Sequence, residues 1–193
     1  DPSVKAIWCA KGGYGSIRII ALIDFSGLKT QPKWLVGYSD VTAIHLHLQS
    51  LGIASLHAQM ASAIETRSRS TSAQLNSVLF GNKHQIEYAS QHPNQVNGEV
   101  EGELIGGNLS VLYSAIGSCS MPSFKNKILF LEDLDEYLYH IDRMMQNLKR
   151  SGLLNQISGL IVGGMTDMND NDTPFGKTAE EIIYELVKDL NIP

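Results

Sequence analysis

The chain has 193 residues, 43% hydrophobic and 18% charged, a balance suited to a globular protein with a sizeable buried core. Its net charge of −5, with no cluster of Lys or Arg, argues against a nucleic-acid partner. No apolar stretch approaches the ~18 residues of a membrane span. Cys9 and Cys119 form no C-x-x-C pair, so a reducing compartment suits them, with a single disulfide between them as the alternative.

In chain order, residues 4–10 (V-K-A-I-W-C-A) predict a buried strand, K-G-G-Y-G-S at 11–16 a Gly-rich turn, and residues 17–28 a helix. Such a turn leaves backbone amides free to hold an anion or a polarised carbonyl. It is neither G-x-G-x-x-G nor a P-loop, which argues against nucleotide binding, and a tight turn needing glycine for its angles explains it equally well. Residues 34–38 predict a second strand and residues 40–51 a second helix. Ser39 then falls at a strand-to-helix turn, the geometry of a nucleophile elbow, with Asp40 where a carboxylate suits the helix dipole. Val41 stands where G-x-S-x-G has its last glycine, and a plain N-cap role for Ser39 is the competing reading. Residues 53–56 predict a third strand ending at His57, and residues 71–80 a short helix.

Residues 81–98 are polar and rich in turn formers, and they read as a linker between domains at 1–80 and 99–193. Beyond it, alternation precedes a turn at Gly106-Gly107-Asn108, and residues 109–116 predict a helix. A strand at 127–131 runs into Glu132-Asp133, and residues 137–151 form an amphipathic helix stopped by Gly152. A strand at 160–164 and a helix at 178–190 complete the pattern. Alternating strands and helices imply a parallel α/β sheet, whose ligands gather at the carboxyl ends of strands. The chain opens without Met and closes on D-L-N-I-P, where the next strand is expected, so both ends read as truncated.

Ser39 and Glu132 are the expected pair, each after an apolar strand and on opposite sides of the linker. A serine nucleophile needs a base, and a carboxylate works by orienting a histidine. His45 and His47 are two apart on a helix and so face different ways. His84 and His92 lie in the linker, and His140 is inside the amphipathic helix. His57, ending a strand, is the candidate base within the chain. Residues 167–172 (D-M-N-D-N-D) lack the glycine and terminal glutamate of an EF-hand loop and read as a solvated turn.

Six segments in order, G-G-Y-G at 12–15, G-Y-S-D at 37–40, G-G-N at 106–108, L-E-D at 131–133, I-D-R-M at 141–144 and G-G-M-T-D at 163–167, carry a resemblance. The chain resembles the LD-carboxypeptidases, also called muramoyltetrapeptide carboxypeptidases, to which microcin C self-immunity peptidases are related. The resemblance implies a serine peptidase that cleaves the L,D bond before the terminal D-alanine of a murein tetrapeptide, in peptidoglycan recycling. It implies a Ser-Glu-His triad with Ser39 as nucleophile and Glu132 as the glutamate. The histidine is expected in a G-H motif beyond Pro193, so the chain alone is expected to be inactive. The N–H of Asp40 and one from Gly12–Gly13 would hold the oxyanion. The implied architecture is an N-terminal α/β domain joined to a C-terminal, mainly β domain. The implied setting is a homodimer in the bacterial cytoplasm, with no metal, no cofactor and no membrane or nucleic-acid partner. Lys11 stands where an arginine is common, and His140 where a basic residue often precedes I-D-R. A microcin C-type self-immunity peptidase and a non-catalytic anion- or peptide-binding module are the alternatives.

Overall fold

The computed structural model describes residues 1–66, 68–82 and 84–193; Arg67 and, within the stretch read as a linker, Lys83 lie outside them. The chain forms two compact units, Asp1–Ser90 and Gln91–Pro193.

The first unit is built on three parallel strands, β1 (Ala6–Trp8), β2 (Trp34–Gly37) and β3 (Leu56–His57), with β2 in the centre. Leu35 and Val36 are both buried, as a strand covered on two faces requires. Around it run α1 (Ser16–Ile19), α2 (Ser26–Thr30), α3 (Thr42–Ser50) and α4 (Arg69–Leu79). Leu35, Val41, Leu48, Ile53 and Met60 make the core against which Phe25, Leu28, Ile44 and Leu51 pack.

Two expectations shift here. The helix expected over 17–28 is broken into α1, a 3-10 turn at Ile20–Leu22 and α2. Asp24 accepts the Ser26 N–H and hydroxyl, at 2.9 and 3.0 Å, giving the backbone an alternative to continued helix. The third strand begins at Leu56 rather than residue 53 because Ile53 belongs to the end of α3. Gly52, at φ 76, turns the chain, and the N–H groups of Ile53 and Gly52 close on the carbonyls of Leu48 and Gln49, both at 2.9 Å. That is a Schellman cap, with Ile53 packed in the same core as Leu48.

The second unit repeats the plan with β4 (Leu104–Asn108), β5 (Ile128–Leu134) and β6 (Gly159–Thr166), all parallel around β5. The α/β class holds, but the second unit is not mainly β: α5 (Leu109–Ala115), α6 (Leu138–Arg150) and α7 (Ala179–Val187) accompany its strands. Parallel neighbours cannot be joined by hairpins, so each return needs a crossover. α6 buries Ile141, Met144, Met145 and Leu148 completely, the spacing of one helical face. It ends as α3 does, with Gly152 at φ 75 and the Leu153 N–H on the Leu148 carbonyl at 3.0 Å. α7 starts with a reciprocal capping box between Thr178 and Glu181. Cys9 and Cys119 are free thiols, so the disulfide alternative falls. No helix among the described residues is long and apolar enough to cross a membrane.

The Gly106-Gly107-Asn108 segment lies inside β4 instead of forming a turn. Gly106 has φ 112, and a Cβ there would stand 2.0 Å from the Phe130 carbonyl oxygen of β5. Gly106→Ala is therefore expected to cost about 4 kcal/mol or more in a denaturant melt, since strand backbone itself must move. Gly117→Ala, at φ 83 with nothing within 4 Å, has conformational strain alone, and its expected cost is about 1–2 kcal/mol.

Candidate active site

β2 delivers the chain to Gly37, and Tyr38 continues extended at φ −150, ψ −168. Ser39 then takes φ 59 and opens a 3-10 turn, Ser39–Val41, that leads into α3. The other described non-glycine residues at positive φ are Asn126, Asp135, Asp167 and Asn191, types that tolerate that region. Ser39 is not such a type. A strained residue persists only when its surroundings hold it, and such residues gather at functional sites.

The surroundings are close. A Cβ at Gly37 would meet Val41 Cγ2 at 3.0 Å and Cys9 Cβ at 3.2 Å, so any larger residue would press Val41 and Cys9 out of place. Val41, where an elbow motif would place its last glycine, is instead buried in the core. A Cβ at Gly12 would lie 3.0 Å from both Cβ and Oγ of Ser39, so the Gly-rich turn sits against the serine. Gly13 and Gly15, at φ 100 and 130, give that turn its shape. Asp40 is buried, and its Oδ2 accepts the Ser16 N–H at 2.9 Å.

His45, set aside on sequence, proves to be part of this framework. Its Nε2 lies 2.9 Å from the Gly37 carbonyl and its Nδ1 2.7 Å from Ser55 Oγ. A carbonyl only accepts, so Nε2 carries the proton. Burial pushes the ring's pKa down, so Nδ1 is left to accept from the Ser55 hydroxyl. The Gly37 carbonyl also accepts the Ala58 N–H at 3.0 Å, which fixes the end of β2 from two sides. Nothing in a histidine's place on an apolar helix reveals such a bond. His57 ends β3, with its ring 6.1 Å from those of Tyr38 and His45. Loss of hydration and then the neighbouring His45 push it down to about 4. It stays neutral at neutral pH and is a weak base there.

In the second unit, Glu132 lies within β5 rather than after it, in register with Asn108 of β4. The strand carries on through Leu134 because Asp133 and Leu134 pair with Met165 and Thr166, after a register shift at Leu131/Asp133. Leu131 and Asp133 are buried on one side, and alternation turns Glu132 to the other. Burial, and then the Asp133 carboxylate, push Glu132 up to about 7, against a lowering hydrogen bond from Asn108. Gly163 leaves room there, since a Cβ would meet the Phe130 ring at 2.9 Å and Glu132 Cβ at 3.3 Å. Asp133 accepts from Asn108 Nδ2 at 2.8 Å and from the Ser110 N–H at 2.9 Å. Asn108, read only as a motif residue, also caps α5 through the Val111 N–H at 3.1 Å. Glu136 is held by His140, Nδ1 to Oε2, at 2.7 Å. Among the described residues no group of three or more His, Cys, Asp and Glu is placed to hold a metal ion.

Residues 1–58 match the LD-carboxypeptidase N-terminal domain, and residues 101–193 match the LD-carboxypeptidase C-terminal domain. The crystal structure of a muramoyltetrapeptide carboxypeptidase from Oxalobacter formigenes has a TM-score of 0.88 at 30% identity, covering 100% of this chain and 67% of its own. The chain belongs to the LD-carboxypeptidase family. A probable murein peptide carboxypeptidase of Bacillus subtilis is 39% identical over 167 residues, 84% of this chain and 52% of the relative. A murein tetrapeptide carboxypeptidase of Pseudomonas aeruginosa is 28% identical over 100% of this chain and 65% of the relative. The chain thus spans between 52% and 65% of these two curated relatives. A microcin C7 self immunity protein, with a TM-score of 0.83 at 22% identity, shares the fold. Gly12, Gly13, Ser39 and Asp40 fall in the part matched to the LD-carboxypeptidase N-terminal domain, and Asn108 and Glu132 in the part matched to the C-terminal one.

Two outcomes follow from this geometry. Gly12→Ala puts a methyl group against the Ser39 hydroxyl, and labelling of Ser39 by a phosphonofluoridate should slow by about tenfold or more with the fold retained. Glu132 binds its proton more tightly in the fold than at its ordinary 4.5, so ionising it opposes folding. That penalty is absent below the unfolded value and grows as pH rises towards 7. Glu132→Gln removes it, so the variant's melting temperature should gain on the parent between about pH 4.5 and pH 8, with no gain on the acid side.

Proposed function

We propose that the protein is a serine carboxypeptidase that cleaves the L,D-peptide bond before the terminal D-alanine of murein tetrapeptides. The observation that carries this reading is Ser39, held at φ 59 between a strand and a helix with Gly12 against its hydroxyl. Ser39 attacks the peptide carbonyl. A histidine in the G-H motif expected beyond Pro193 takes the hydroxyl proton and passes it to the departing D-alanine, and water deprotonated by the same histidine then cleaves the ester on Ser39, returning a proton to the serine oxygen. Glu132 orients that histidine and balances its charge. The N–H of Asp40 and one from Gly12–Gly13 hold the oxyanion, each such donor contributing ~3 kcal/mol. Neither metal nor organic cofactor takes part in these steps.

The murein and muramoyltetrapeptide names of the relatives from Bacillus subtilis, Pseudomonas aeruginosa and Oxalobacter formigenes support this substrate. Murein recycling in the bacterial cytoplasm, by a homodimer, completes the reading. The microcin-type alternative has fold likeness behind it, and the non-catalytic module gives no reason for the strain at Ser39.

Ser39→Ala in the full-length enzyme decides the matter. Release of D-alanine from murein tetrapeptide should fall by roughly three orders of magnitude or more, with thermal stability little changed. Turnover near that of the parent would remove Ser39 as nucleophile.

A further inference from the structure

The carboxylate of Asp40 has work of its own beside the serine. It is 8% exposed, and it lies in the first turn after Ser39 yet does not serve that turn. It reaches the Ser16 N–H at 2.9 Å, the first residue of α1, 24 positions earlier in the chain. The residue preceding α1 is Gly15, which has no side chain to cap the helix, and no side-chain cap is made there. Asp40 supplies the missing acceptor from a different segment.

This bond fixes one end of the Lys11–Gly15 turn. The other end is fixed by β1, where the Cys9 N–H meets the Val36 carbonyl at 2.9 Å, and by Gly12 against Ser39. Between the two anchors, Gly13 and Gly15 sit at φ 100 and 130 with nothing within 4 Å on the side a Cβ would occupy. On that side neither glycine is confined by a neighbour, and glycine is the residue with most backbone freedom to lose. The Asp40 carboxylate is a side-chain hold at the helix end of this turn.

We propose that Asp40 is a positioning residue, its carboxylate fastening the start of α1 so that the Gly-rich turn keeps its amides aimed at the oxyanion that Ser39 generates. This rests on the reading of Ser39 as the nucleophile. Asp40→Ala frees the Ser16 N–H and loosens the turn, whereas Asp40→Asn keeps an oxygen that can accept from it.

The test uses the full-length protein, with D-alanine release and phosphonofluoridate labelling of Ser39 measured on the parent and both variants. Asp40→Ala should lower kcat by roughly tenfold to a hundredfold, with KM changed by less than about threefold, and should slow labelling in parallel. Asp40→Asn should recover kcat to within about threefold of the parent, since hydrogen-bond acceptance and not charge is what the site needs. If Asp40→Ala does not fold, the Asn variant alone decides: near-parental kcat supports the proposal and a hundredfold loss overturns it. A folded Asp40→Ala with kcat and labelling within about threefold of the parent also overturns it. If the parent itself is not labelled on Ser39, the nucleophile reading fails and this inference falls with it; labelling of the parent keeps the two failures apart.

Discussion

The first unit holds one serine at φ 59 between the end of β2 and the start of α3. A residue with a β-carbon in that region costs about 1–2 kcal/mol relative to ordinary helix angles. The cost is met by packing that leaves no alternative. Val41, two residues on, is locked in the core with Leu35 and Leu48, which fixes the start of α3. Gly37 is pressed between Val41 and Cys9, and its carbonyl is held by His45 and Ala58, which fixes the end of β2. With both flanks immobile, the three residues between them, Tyr38, Ser39 and Asp40, must make the whole change of direction. The strain is a consequence of well-ordered neighbours, and it turns the serine side chain onto Gly12.

The same construction appears in the second unit. Each central strand leads to a pair of residues, Ser39-Asp40 after β2 and Glu132-Asp133 at the end of β5. In each pair the aspartate accepts the N–H of a serine at the start of the helix that follows the neighbouring strand, Ser16 in one case and Ser110 in the other, both at 2.9 Å. Parallel topology explains why. Adjacent strands end side by side, and each leads to a helix whose first amides have no partner within the helix. A carboxylate from the next strand satisfies one of them and ties two crossovers together. Its predecessor in the chain, Ser39 in one unit and Glu132 in the other, points elsewhere.

Much of this was legible in the sequence. Apolar runs gave the strands, β2 almost residue for residue, and the 3.6-residue periodicity gave α6 with its four buried residues. What was not legible involved partners distant in the chain. The break between α1 and α2 depends on Asp24 choosing the Ser26 N–H over helix, and its sequence suits either. The apolar run of β5 ends before Glu132, but pairing with β4 and β6 carries the strand past it. The segment at 106–108 reads as a turn. Its Gly106 is in fact where β4 comes so close to β5 that no side chain fits. Ser39 and Gly12 could be assigned to the same sheet edge by pattern alone, whereas their contact could not. The bonds of His45 are hidden for the same reason: a helix-face periodicity says which way a side chain points and not what it meets.

The electrostatics of Glu132 give the second unit its direction. A carboxylate at a strand end could have been left in water or paired with a lysine. Here it is desolvated and set next to Asp133, and the Asn108 hydrogen bond offsets only part of that, so its proton affinity rises to about 7. A group in that condition is poor at staying ionised alone and gains most from a cation brought alongside. An imidazole fits that need at neutral pH, because its own affinity for a proton rises beside the carboxylate while the carboxylate's falls. The coupling is strongest when the pair forms out of water, which is what the burial around Glu132 supplies. A fully hydrated glutamate would orient a histidine but polarise it far less. The placement of Glu132 on the face opposite Leu131 and Asp133 follows from strand alternation, and Gly163 lets the neighbouring strand run close beside its Cβ. A shift of one residue in the register of β5 would turn Asp133 out in its place and leave the Ser110 N–H of α5 without its acceptor.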